Sequence, residues 1–171
     1  MRADGFDNVR GEPVQVPAWV RGAESVQLLE PRNEPLPMLG LGGSIATPPE
    51  GITAPVLVVT NFTELTNRAV EARGKIVVFD VPFTEYGDTV RYRVNGAIAA
   101  AQVGAAASLV RGVGPFTLRT PHTGMMSYAE GTMKIPHGSL APEDTARLRR
   151  WQIRGVTPRL RLHFGGHNEG E

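Results

Sequence analysis

The run Gly51-Ile-Thr-Ala-Pro-Val-Leu-Val-Val-Thr60, followed by Ala72-Arg-Gly-Lys-Ile-Val-Val-Phe-Asp80, constrains the fold of this chain more than any other stretch. Residues 56–60 and 75–80 are continuous apolar runs, the pattern of strands covered on both faces. Between them, Asn61 and Glu64 stand at the spacing of a capping box. Leu65, Ala69 and Ala72 share one helical face, and Gly74 marks the helix end. The unit builds a scaffold and contains no complete catalytic or metal-binding set.

The remaining elements are short. Twenty glycines and 14 prolines are spread along the chain, which favours many tight turns over a flexible linker. Strands are expected at 14–16, 25–29, 38–42, 107–110, 134–135 and 159–164. The last alternates arginine and histidine with Leu160, Leu162 and Phe164, the mark of a half-buried strand. A second helix is expected over 89–103, with Val90, Val94, Ala97, Ile98 and Ala101 on one face. A third opens with Pro142, Glu143 and Asp144 and ends in arginines before Gly155, the charge order that the helix dipole favours. These elements predict an α/β fold (α+β if antiparallel pairs dominate), with a mixed sheet that curls toward an open barrel under flanking helices.

At 171 residues the chain is expected to form one domain whose core needs no covalent staples. A formal net charge of +1 supplies no general attraction to nucleic acid or a membrane surface. No apolar run approaches the roughly 18 residues that span a bilayer. The absence of cysteine excludes a disulfide framework, a thiolate zinc site and a cysteine nucleophile. Residues 1–7 carry no apolar signal-peptide stretch and read as the end of a helix.

Individual motifs fall short of chemistry. His163 and His167 are four apart, but Gly165 and Gly166 argue against a shared helix, while His122 and His137 are read in separate turns. No metal is therefore assigned to this chain. Gly40-Leu-Gly42-Gly43-Ser44 lacks the third glycine and the following helix of a dinucleotide loop, and reads as a tight turn. Gly138-Ser139 lacks the second glycine of a nucleophile elbow, so Ser139 reads as a turn residue. Asn61-Phe-Thr63 matches a glycosylation acceptor, yet the helix cap explains Asn61 better. The arginines of the third helix read as a solvated face.

Two clusters carry the interaction candidates. One is the glycine-rich segment 112–134, with His122, Thr123, Gly124, Met125 and Tyr128; long loops in compact domains often form functional surfaces. The other is Tyr86, Arg91 and Tyr92, residue types that suit interfaces. A plain surface loop and a solvated helix N-terminus explain the same residues equally well.

Several blocks resemble a known family. They include Trp19-Val-Arg21-Gly22-Ala-Glu24-Ser25, the run from Leu39-Gly40-Leu41-Gly42-Gly43 through Thr53, Glu71-Ala72-Arg73-Gly74-Lys75-Ile76-Val77-Val78, and Pro121-His122-Thr123-Gly124. Together they resemble the protease-associated domain of zinc peptidases of the carboxypeptidase Q type. The resemblance implies a swivelling β/β/α module over 1–171, with 1–13 an extension from the parent peptidase and 165–171 a tail. It implies a non-catalytic accessory role, with zinc and the catalytic residues in the parent alone. The implied partners are the parent peptidase domain, peptide substrate and a second copy in a homodimer, with no nucleic acid or membrane. Export to the periplasm or medium, with the parent, is implied as well. A freestanding peptide- or protein-binding module is the alternative. Thr120-Pro-His122-Thr also resembles, more faintly, the phosphohistidine motif of swivelling carrier domains.

Overall fold

The computed structural model describes residues 1–115 and 118–169. Residues 116–117 of the expected 112–134 segment and residues 170–171 of the expected tail lie outside the described residues. Among the described residues there are ten strands: β1 (Trp19–Val20), β2 (Glu24–Glu30), β3 (Glu34–Leu36), β4 (Met38–Gly40), β5 (Ile52–Val59), β6 (Ile76–Phe79), β7 (Ala107–Arg111), β8 (His137–Leu140), β9 (Arg159–Phe164) and β10 (His167–Asn168). The helices are α1 (Phe62–Asn67), α2 (Ala69–Ala72), α3 (Tyr86–Gln102) and α4 (Pro142–Ile153), after a 3-10 turn at Arg2–Asp4. Eight strands form one mixed sheet in the order β3-β2-β9-β5-β6-β7-β8-β4, and β1 pairs separately with β10.

The sheet changes character along β5. Its first half, Ile52 to Pro55, pairs antiparallel with β9, and its second half, Val56 to Val59, pairs parallel with β6. The sequence registers that change. Ala54 is buried between exposed Thr53 and half-buried Pro55, whereas Val56 to Val59 are all buried. A strand alternates when one face is wet and runs apolar when both faces are covered.

The sheet curls until β4 approaches β2, so the eight strands nearly close. Val26, Leu28, Val56, Val58, Ile76, Val78, Leu109, Leu160 and Leu162 fill the interior, with Leu148 of α4 packed among them. Leu57, Val59, Val77 and Phe79 point the other way, against Leu65, Tyr92, Ala97 and Ala100. Each fully buried aliphatic side chain contributes about 1.5–3 kcal/mol, so these two layers dominate stability.

The structure corrects several expectations. Residues 14–16 form no strand, because Pro13 and Pro17 flank them and no neighbouring strand pairs with them. Residues 134–135 precede a strand rather than form one: β8 begins at His137, so His137 and Ser139 lie in a strand and not in turns. β3 is an additional strand between those expected at 25–29 and 38–42, and Pro35 is tolerated because β3 is an edge strand. The first helix divides at Arg68. Its cap is a variant of the expected box: Asn61 Oδ1 accepts from Glu64 N–H at 2.7 Å, but Glu64 Oε2 reaches back to Thr60, accepting from its N–H at 2.7 Å and its hydroxyl at 2.8 Å. The arginines of α4 are less solvated than expected, since Arg147 pairs with Glu34 and Asp144, and Arg149 lies 3.8 Å from Asp80.

The packed face of α3 is also rotated from the expected one. Thr89, Tyr92, Arg93, Gly96, Ala97 and Ala100 are buried, while Val90, Val94, Ile98 and Ala101 are half-buried. Small residues let the helix backbone approach the sheet, and closeness of packing outweighed the apolar stripe.

Candidate functional site

The segment after β7 is built onto the molecule by backbone bonds. Gly42 N–H donates to Gly124 O at 2.8 Å, Met126 N–H to Gly42 O at 3.0 Å, and Ser127 N–H to Val94 O at 3.1 Å. Residues 124–127 are therefore held between the turn after β4 and α3. Gly42 and Met125 form a parallel bridge. The tight turn expected at 40–44 is present, with Gly43 at φ 93°.

Side chains extend this attachment across the gap in the barrel. Arg21 Nη1 donates to Gly40 O at 2.5 Å, and Gly40 N–H donates to Glu24 Oε2 at 2.9 Å. Thr123 Oγ1 donates to the same Gly40 carbonyl at 3.3 Å and accepts from Arg21 Nη2 at 3.4 Å. The Arg21–Glu24 pair thus does for β4 what a neighbouring strand would do. Glu24→Ala is expected to cost about 1–3 kcal/mol in denaturant unfolding, because it strands the Gly40 N–H; a loss under about 0.5 kcal/mol would show that the stitch contributes nothing.

The candidate residues fall into distinct environments. His122 is exposed beside Gly112, and Met125 points outward with 74% of its surface exposed. Tyr128 is half-buried: its hydroxyl donates to Ile135 O at 2.8 Å and accepts from Ile45 N–H at 3.0 Å. Burial pushes its phenol above the ordinary value. Tyr86 opens α3 and is half-exposed. Tyr92 is buried, stacked on Phe62 with centroids 4.4 Å apart, and Arg91 lies over both rings at 5.8 and 5.4 Å. Arg91 and Tyr92 line a shallow cleft of about 420 Å³ with Val81, Pro82, Thr84 and Thr89.

Arg93, which the sequence did not single out, joins the two clusters. Its Nη2 donates to Tyr86 Oη at 3.0 Å, and its guanidinium lies against Gly124. Reading α3 by its small residues rather than its branched ones would have placed Arg93 on the packed face.

A second buried group lies under α3. His137 Nδ1 is 2.8 Å from Ser108 Oγ, and both residues are wholly buried. Burial drives the imidazole down to about 4, only partly opposed by nearby backbone groups, so it is neutral at pH 7. A serine beside a histidine is the geometry of an activated nucleophile, but neither side chain here has any exposed surface. Ser139 is equally buried, and its hydroxyl has no partner among the described residues. Among the described residues no group of three or more histidine, aspartate or glutamate side chains is placed to hold a metal ion. No helix of the described residues is long and apolar enough to cross a membrane.

A nearly closed mixed sheet with a helix-covered parallel half also occurs in a zinc aminopeptidase from Bacillus subtilis, which superposes with a TM-score of 0.60 at 18% identity, over 88% of this chain and 32% of that one. That likeness is one of fold alone. Sequence goes further: the chain is homologous to a portion of carboxypeptidase Q. It is 52% identical over 168 residues to carboxypeptidase Q of Xenopus laevis, covering 98% of this chain and 36% of that protein. The crystal structure of a peptidase M28 precursor from Shewanella amazonensis superposes with a TM-score of 0.92 at 35% identity, over 99% of this chain and 40% of that one. The chain thus spans little more than a third of these relatives' length. No protein-family model matches it.

Proposed function

We propose that this chain is a non-catalytic accessory domain, of the protease-associated type, of a zinc-dependent exopeptidase that is exported from the cell. One observation carries the reading: the near end-to-end match to 36% of carboxypeptidase Q at 52% identity. The accessory domain spans the described fold, with residues 1–13 as an extension toward the peptidase. Its action is steric. The segment around His122, Thr123, Gly124 and Met125, with Tyr86 and Arg91 on α3, walls one side of the peptidase cleft, and zinc is held outside this chain. Two arrangements support the division of labour. The Ser108–His137 pair is sealed from substrate. The β1–β10 pairing also brings the strands entering and leaving the sheet side by side, which suits a unit carried on another domain.

Two measurements test the proposal. The purified chain, loaded with zinc, is expected to hydrolyse no dipeptide or aminoacyl substrate; chelator-sensitive turnover by the chain alone would overturn its non-catalytic role. An immunoblot of the source cells and medium with an antibody to this chain is expected to show a band much larger than 18.4 kDa. A band at that mass would replace the accessory reading with a freestanding module.

A further inference from the structure

Arg93 is buried, with 8% of its surface exposed. The other buried ionised side chains of the described structure are neutralised: Asp80 by Arg111 and Arg149, and Asp144 by Arg119 and Arg147. Arg93 is the exception. Among the described residues no carboxylate pairs with it, and its buried Nε has no hydrogen-bond partner. Removing a guanidinium from water without a counter-charge is strongly unfavourable, so such groups are normally paired.

The surroundings are shaped to keep it there. A Cβ at Gly124 would lie 2.7, 2.5 and 2.7 Å from Nε, Cζ and Nη1, so the guanidinium plane lies flat over that glycine. Tyr86 takes one donor through its hydroxyl, and its ring centroid is 5.8 Å from Cζ. Face and one corner are therefore occupied and Nε is closed off, while Nη1 has no hydrogen-bond partner among the described residues. A planar fork with free donors matches the two oxygens of a carboxylate. A phosphate would draw on further cations, but Arg21 is committed to Glu24, and Arg91 lies over Phe62 and Tyr92.

We infer that Arg93, framed by Tyr86 and Gly124, is a receptor for a carboxylate, supplied by the free C-terminus of a peptide or by an acidic side chain of an adjoining protein segment. The inference stands on this chain's own geometry and does not require the accessory role.

The Nε–H resonance of Arg93, assigned by its loss in Arg93→Lys, reports the site directly. Three peptides distinguish the sources: one with a free C-terminus and no acidic side chain, one amidated and carrying a single glutamate, and one amidated and uncharged. A saturable shift with the first alone assigns a terminal carboxylate. A shift with the second alone assigns an acidic side chain, and a shift with both assigns the carboxylate group itself. No shift with either, or an equal shift with the uncharged peptide, overturns the inference. Thermal unfolding keeps the test independent of the assignment variant. Acetate is expected to raise the midpoint of the wild-type chain relative to chloride at equal ionic strength, by ligand linkage, and to leave Arg93→Met unmoved. Equal effects on both would also overturn it.

Discussion

Phe79→Ala is expected to destabilise the chain by about 3–5 kcal/mol, the range for deleting a fully buried aromatic ring. Phe79 ends β6, is wholly buried, and meets Phe62 edge-on at 5.5 Å and Tyr92 at 6.0 Å. It also fills the space left by a missing side chain, since a Cβ on Gly96 would lie 3.1 Å from its Cε2. The ring is the point at which α1, α3 and the parallel half of the sheet meet, so little can collapse into the vacated volume. Urea unfolding measures the effect, and Phe79→Leu should recover most of it, because volume is largely kept. A loss below about 1 kcal/mol for the alanine variant would mean that the aromatic cluster does not hold α3 in place. The consequence reaches the candidate site, because α3 carries Tyr86, Arg91 and Arg93.

Acidification from pH 6.5 to about 4 is expected to remove about 3 kcal/mol of stability through His137 alone. The folded imidazole titrates near 4, whereas an unfolded histidine titrates near 6.5. Between those values the unfolded chain binds more protons, so stability falls as pH falls, by up to 1.4 kcal/mol per unit. The contribution is complete above pH 6.5 and exhausted below about pH 4. Glu64 and Glu71, held below the usual carboxylate range, lose stability in the same direction only at the acid end. For Glu64 burial works against that shift, but hydrogen bonds from Thr60 and Arg68 outweigh it; for Glu71 the bond from Arg68 leads. Denaturant unfolding at half-unit pH steps measures the slope. His137→Asn should be less stable at pH 7 yet nearly flat between pH 6.5 and 4.5. An equal slope in that variant would assign the acid sensitivity elsewhere.

Much of the scaffold was legible from residues 51–80, because strand burial and helix capping leave local marks. Asn61 does cap α1, Pro142 does open α4, and residues 159–164 are the half-buried strand their alternation describes. Two of the errors share a cause, the exclusion of polar and small residues from buried faces. His137 and Ser139 are polar, so a rule that keeps polar residues outside placed them in turns; in β8 the strand period turns both toward α3, where Ser108 meets Nδ1 of the imidazole and Nε2 has no partner among the described residues. The packed face of α3 was misphased for the same reason, since Thr89, Arg93 and Gly96 lie on it and add little to a hydrophobicity count.

By itself, the amino-acid sequence determined the element types, the capped strand–helix–strand unit, the mixed α/β class and the two stretches that carry the candidate residues. Those features depend on neighbours within a turn or two of the chain. Only the tertiary structure decided that Tyr86 and Gly124, 38 positions apart, share one guanidinium, and that the Arg21–Glu24 pair bridges the gap between β2 and β4. Such contacts depend on how far the sheet curls and how closely α3 approaches it, which no local pattern encodes.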